Sequence, residues 1–168
     1  GTLDRLRAAP QVDYSGVAAL RQPAFEALFA AFAAPPPGHA RRVRFDAFVA
    51  AGGQSLARFA VFEALRETHA GAGAPDWRRW AAPLQNPASA EVDAFAGTHA
   101  PRIAFHQYLQ FLADEQLAAA GTRARAAAMP VGLYRDLAVG VDVAGAQVWA
   151  AQDQYARGFG VGAPPDDW

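Results

Sequence analysis

Cysteine is missing from this 168-residue chain, which removes disulfides, thiolate metal sites and thiol nucleophiles from consideration. Lysine is missing as well: all 15 cationic residues are arginine. Together with the abundance of alanine, glycine and proline, this reads as coding bias of a GC-rich genome, because arginine and lysine differ chemically mainly at bidentate or stacked sites. Charge of one sign is not in excess, since 15 cations face 16 acids for a net charge of −1. That balance leaves no footprint for nucleic acid and no polybasic patch for a membrane surface. No apolar run approaches the ~20 residues that span a bilayer, and no signal-peptide pattern is visible. The chain opens on Gly1 without an initiator methionine and closes on Trp168 in a proline-rich stretch, so both ends read as cuts. What is present is apolar material, 52% of residues against 18% charged, enough for a packed core and too much for the disordered class. The length fits one domain, or one domain plus a fragment.

Hydrophobic periodicity predicts a mainly α chain. After a polar lead-in with one short amphipathic stretch around Leu3 and Leu6, Ser15 offers a helix cap. Val17, Leu20, Phe25, Leu28, Phe29 and Phe32 then recur at helical spacing. Pro23 falls inside that pattern and predicts a break or kink, with the main helix over 23–33. Ala34-Pro-Pro-Pro-Gly38 ends it. A second helix is expected over 41–51, stopped by Gly52 and Gly53, and a third is capped by Ser55 and carries Leu56, Phe59, Phe62 and Leu65 on one row. The set Phe45, Phe48, Phe59 and Phe62 reads as core. Residues 71–87 read as a loop holding Trp77 and Trp80, and Ser89 starts a short helix to about residue 96. Pro101 suits the first turn of the longest helix, whose stripe is Phe105, Tyr108, Leu109, Leu112 and Leu117 and which Met129-Pro130 terminates. The β-rich run 131–139 is the one convincing strand, and 145–156 reads as one or two short helices. A helix leading into a buried strand is a unit of α/β barrels and doubly wound sheets, but one strand makes no sheet, and a whole (β/α)₈ barrel takes roughly 250 residues.

Three strings in the tail carry a resemblance: Gly132-Leu-Tyr-Arg-Asp-Leu-Ala-Val-Gly-Val, then Gly145-Ala-Gln-Val-Trp149, then Val161-Gly-Ala-Pro-Pro-Asp166. In order and spacing they resemble the bacterial 4-α-glucanotransferases (amylomaltases, disproportionating enzymes) of the α-amylase superfamily. Phe105-His-Gln-Tyr-Leu-Gln-Phe-Leu-Ala-Asp-Glu-Gln-Leu117 is similar to the helix that precedes the strand in that family. Val12-Asp-Tyr, Phe45-Asp-Ala-Phe, Leu56-Ala-Arg-Phe and Phe62-Glu-Ala-Leu resemble its helical insertion. The resemblance implies a helical insertion subdomain over 1–98 and, over 99–168, part of an incomplete (β/α)₈ TIM barrel comprising the long helix, one strand and the start of a substrate loop.

The same resemblance implies a cytoplasmic retaining transglycosylase acting on α-1,4-glucans and maltooligosaccharides, with no cofactor. Its chemistry needs two carboxyls about 5–5.5 Å apart, one nucleophile and one acid/base. The family's nucleophile lies in an Arg-Ile-Asp-His type motif that this sequence does not contain, so no residue here is expected to be catalytic and the chain alone is expected to be inactive. Candidate substrate-binding residues are Asp136, just past the strand, and Gly162, Pro164, Pro165 and Asp166, where two prolines stiffen what resembles the substrate-gripping loop.

Each candidate has a plainer reading. Asp136 could instead cap the following turn, and Arg135 serves equally as its partner or as a structural ion-pair residue. Asp142 is a weaker candidate, because some family members carry their acid two positions on, at Ala144. Trp77 and Trp80 fit a plug over a helical core better than a sugar platform. His39, His69, His99 and His106 share no metal-ligand spacing and read as surface or cap residues, so no metal is expected. Two rival readings remain: a stand-alone helical interaction module, and a small glucan-binding module built on Trp77 and Trp80. Leu133, Leu137 and Val139 on an unpaired strand would also favour self-association of the chain.

Overall fold

The computed structural model describes residues 1–36, 38–71, 73–136, 140–156, 158 and 159. Six α-helices occupy them: α1 Thr2–Ala8, α2 Tyr14–Ala33, α3 Ala40–Ala70, α4 Ala90–Thr98, α5 Ala100–Ala126 and α6 Ala146–Ala150. Short 3-10 turns at Trp77–Arg79, Ala82–Gln85 and Gln152–Gln154 punctuate the connections. The chain divides into two compact units, Gly1–Ala50 and Ala51–Trp168. None of the helices is long and apolar enough to cross a membrane.

In the first unit, Asp13 caps α2 by accepting from the Gly16 amide at 2.8 Å, and Arg5 of α1 reaches the same carboxylate at 3.5 Å. The cap is therefore Asp13, two residues before the expected Ser15, because α2 already begins at Tyr14 and Ser15 lies inside its first turn. The predicted break at Pro23 does not occur: α2 runs through it. Proline costs the helix its bond to the carbonyl four residues earlier. Here that carbonyl belongs to Ala19, an exposed residue, so water can satisfy it. Phe32 and Phe45 are the buried residues of this unit. Their rings meet edge to face at 5.2 Å, with the Arg42 guanidinium 5.5 Å and 5.8 Å from their centres.

Helix α3 was expected as two helices parted by Gly52-Gly53. The parting is there: two helices meet end to end at a kink on Gly53, which sits at φ 51° and ψ −142°, with no loop between them. A side chain resists that left-handed φ, so glycine permits the break without a loop. Phe48 and Phe59 are half-buried, whereas Phe45 and Phe62 reach the core as expected.

The second unit is built around Phe62, Leu65, Trp77, Trp80, Val92, Val148 and Trp149, joined by Ala60, Ala64 and Ile103. Each of these three tryptophans buries its ring and hands its indole N–H to a backbone carbonyl, which avoids the cost of an unpaired donor. Trp77 donates to Val143 at 3.1 Å, Trp80 to Ala74 at 2.9 Å and Trp149 to Leu84 at 2.9 Å. Phe62 lies between two of them, 5.5 Å from Trp80 and 5.6 Å from Trp149 by ring centres. Ser89 caps α4 by accepting from the Val92 amide at 3.2 Å and donates to the Pro83 carbonyl at 2.7 Å. Thus α4 and α5 begin where the sequence reading put them, and Phe105 and Tyr108 are buried, but Leu117 of the expected stripe is 40% exposed.

The expected strand over 131–139 is corrected. Among the described residues there is no strand, and 131–136 form irregular backbone. Gly132 sits at φ 73°, outside the extended region, and Val131 and Tyr134 are 77% and 92% exposed. A strand is held by ladder bonds to a neighbour and by burial of its faces, and neither is supplied to 131–136. Leu137 and Val139 lie outside the described residues.

Candidate functional site

Of the sequence candidates, Asp136 and Asp142 fall among the described residues. Asp136 is exposed on the irregular stretch after α5. Its neighbour Arg135 joins Arg125, Thr122, Gly121 and Leu133 around an open cavity of about 670 Å³ between the end of α5 and that stretch. Gly162, Pro164, Pro165 and Asp166 lie outside the described residues. Asp142 is held elsewhere: its Oδ1 accepts from the Ala144 amide at 2.9 Å, tightening the turn before α6. It lines a smaller cavity of about 340 Å³ with Phe59, Glu63, Arg66 and Gln147. In that wall Arg66 is already spoken for by Glu63 at 2.6 Å.

Trp77 and Trp80 are 2% and 3% exposed. Rings so covered have no face to offer a sugar, and their indole N–H groups are committed to backbone. The plug reading holds, and the small glucan-binding module built on these two residues is set aside. Asp76 caps the turn carrying Trp77, with Arg78 2.6 Å away. Hydrogen bonds from Arg78 hold the Asp76 carboxyl below its usual range.

Sequence reasoning missed a polar cluster between α3 and α5. Arg102 grips Glu67 with two parallel bonds, Nε to Oε2 at 2.5 Å and Nη2 to Oε1 at 2.7 Å. His106, one helical turn after Arg102, brings Nε2 to 3.3 Å from the same Oε2, off the direction of a well-formed hydrogen bond. The Arg102 guanidinium also stacks 4.2 Å from the centre of the Phe105 ring. Burial by itself raises the Glu67 pKa, but His106 and the Arg102 fork outweigh it and hold the carboxyl at about 2. The surface reading of His106 is thereby corrected: it is 7% exposed, because it sits on the inner stripe of α5 beside Phe105. The i, i+4 spacing of Arg102 and His106 was legible; their partner 35 residues upstream was not. Of the other histidines, His39 and His99 sit at helix ends as expected, whereas His69 is half-buried and stacks on Trp80 with ring centres 4.9 Å apart. His39 precedes α3, His69 Nδ1 donates to the Leu65 carbonyl over 2.9 Å, and His99 joins α4 to α5 while stacking on Phe95.

A second missed cluster lies where α3, the turn Ala82–Gln85 and the turn Gln152–Gln154 approach one another. Arg58 donates to the Ala150 carbonyl at 2.8 Å, and Gln152 donates to the Gln85 carbonyl at 2.6 Å. Gln85 in turn donates to the Trp80 and Arg78 carbonyls at 2.8 Å and 3.2 Å. Side chains separated by more than 65 residues are thus fixed around one open cavity of about 510 Å³.

The similarity of the chain to known proteins runs through both units. The family model for 4-alpha-glucanotransferase matches residues 2–168. A 4-alpha-glucanotransferase of Mycobacterium tuberculosis (strain ATCC 25618 / H37Rv) is 41% identical over 133 residues, covering 79% of this chain and 18% of that protein. One from Haemophilus influenzae is 33% identical over 168 residues, covering 96% of this chain and 24% of that protein. One from Thermus thermophilus is 30% identical over 162 residues, covering 93% and 31%. The chain belongs to the 4-alpha-glucanotransferase family. It spans 18% to 31% of the length of these three relatives.

Proposed function

We propose that this chain is part of a retaining 4-α-glucanotransferase that moves α-1,4-glucan segments between maltooligosaccharides, and that these 168 residues alone do not carry out the chemistry. The observation that carries the reading is the match to the 4-alpha-glucanotransferase family over residues 2–168. In this reading residues 1–98 form a helical insertion and 99–168 contribute to one side of a (β/α)₈ barrel in a cytoplasmic enzyme.

A retaining transfer needs a nucleophilic carboxylate and an acid/base carboxyl placed together. No Arg-Ile-Asp string occurs in the sequence, so both groups must come from other residues of the enzyme. The role left to this chain is to hold substrate. Asp136 follows the run that would be strand in a completed barrel, at the end where barrel enzymes build their sites. Once partner strands order that run, its carboxylate accepts hydrogen bonds from sugar hydroxyls. Gly162, Pro164, Pro165 and Asp166 line the substrate path, with the two prolines limiting the entropy lost on gripping a sugar. The exposed apolar residues at 129–134 agree with this view, since they are the kind of surface that flanking barrel elements bury.

The test is the product of the whole coding region given maltotriose alone. Glucose together with α-1,4-linked products longer than maltotriose, formed with retention of anomeric configuration, is the expected outcome. Hydrolysis without longer products, or inversion at the anomeric carbon, would overturn the reading.

A further inference from the structure

The cavity of about 510 Å³ in the second unit is lined by Arg58, Ala82, Gln85, Asn86, Pro87, Ala150, Gln152 and Asp153. No sequence motif pointed to it. Its size falls within the range of small-molecule sites, roughly 300–1,000 Å³. Two features of its lining set it apart from the other cavities.

The first is that its charges face the cavity without being matched to each other. Among the described residues, Asp153 has no hydrogen bond or ion pair, and Arg58 has only its bond from Nη1 to the Ala150 carbonyl. Arg58 therefore keeps donors of its fork available. Asn86 commits its Oδ1 to the Ala88 amide at 3.0 Å, which leaves the two N–H groups of the amide. A cation, an anion and an amide so arranged offer both donors and acceptors with no net charge. An anionic ligand would meet Asp153, and a cationic one Arg58. A neutral molecule dense in hydroxyls suits them both, since each hydroxyl donates once and accepts twice. Ala82, Pro87 and Ala150 supply the apolar contact that the C–H faces of a sugar ring require.

The second feature is that the walls are fixed in advance. The Gln152–Gln85 and Arg58–Ala150 bonds tie three separate segments together, and Trp149, wholly buried, donates to Leu84 in the adjacent turn at 2.9 Å. A site whose walls are already in place loses little entropy on binding.

We infer that this cavity is an accessory glucan-binding site, in which Arg58, Asn86 and Asp153 hydrogen-bond the hydroxyls of one or two glucose units of a maltooligosaccharide. The choice of an α-1,4-glucan rests on the proposed transferase function. The hydroxyl-rich character of the ligand rests on the cavity alone.

The test uses the 168-residue chain, maltotriose as the probe, and amide chemical shifts read residue by residue. Shifts should saturate in the millimolar range and centre on residues 58, 85, 86, 152 and 153. Asp153→Ala removes an acceptor that has no folded-state partner among the described residues, so it should leave the fold intact and weaken maltotriose at least tenfold. Arg58→Lys, which keeps the charge but loses the fork, should weaken it as well. The inference fails if maltotriose shifts nothing at these positions. It fails equally if Asp153→Ala binds as the parent does, or if sorbitol gives the same response at the same concentration. An inactive whole enzyme combined with maltotriose binding here would remove the transferase reading and leave the site standing. An active whole enzyme with no binding here would do the reverse.

Discussion

Replacing Glu67 with glutamine tests how much the polar cluster between α3 and α5 holds the second unit together. The Glu67 carboxyl titrates at about 2 in place of its ordinary 4.5. At 1.36 kcal/mol per pH unit, that difference of about 2.5 has a ceiling of about 3.4 kcal/mol. The side chain is 34% exposed and that of Arg102 is 32% exposed. Solvent screening therefore brings the expected contribution to about 1–2 kcal/mol. A depressed carboxyl pKa favours the folded state above the unfolded value, so the contribution is complete above about pH 5 and is lost as pH falls from about 4.5 to about 2. Glutamine keeps the shape of a protonated Glu67 and cannot ionise. The Glu67→Gln chain should be less stable than the parent by about 1–2 kcal/mol at pH 7, and that gap should close toward pH 2. Urea unfolding followed by tryptophan fluorescence at a series of pH values measures both. A gap below about 0.5 kcal/mol at pH 7, or one that stays constant down to pH 2, would refute the reasoning.

Trp149→Ala removes a wholly buried ring together with the donor to Leu84, and should cost about 3–5 kcal/mol in urea unfolding. Trp149→Phe should cost less, because most of the volume remains. Gly53→Ala should destabilise by about 1–2 kcal/mol. An alanine Cβ at position 53 meets nothing within 4 Å, so the whole cost is backbone strain at φ 51°; a neutral substitution would show that α3 can straighten. Val131, Leu133 and Tyr134 are exposed on irregular backbone, and we expect the chain to self-associate through this segment at tens of micromolar. Light scattering that finds a monomer across that range would contradict it.

The helices were legible where one signal sufficed. Ser89 three residues before Val92 and Pro101 at the head of a hydrophobic row located α4 and α5, because capping and periodicity act within a few residues of sequence. The stretch 131–136 was misread for the opposite reason. Its β-branched and aromatic content fits a strand, but a strand exists through pairing with segments distant in sequence, and propensity gives no information about whether the partner is there. Pro23 misled because the cost of proline depends on whether the orphaned Ala19 carbonyl can reach water. Of the candidate site residues, Asp136 was placed, in the open, while Gly162, Pro164, Pro165 and Asp166 lie outside the described residues. The Glu67 cluster and the Arg58–Asp153 cavity were invisible to local reading, since each joins residues from segments 35 to 95 positions apart. The three buried tryptophans were half legible: their place in a proline-rich loop suggested a plug, but their carbonyl partners did not follow from spacing.

In the proposed reading these 168 residues bind and scaffold but do not catalyse. Incubating the chain, at a verified mass of 17.8 kDa, with maltotriose and measuring released glucose against a blank without protein tests that claim most directly. No glucose above the blank is expected, because a retaining transfer needs a nucleophilic carboxylate and the family's Arg-Ile-Asp string does not occur in the sequence. Glucose formed in proportion to chain concentration would contradict that claim.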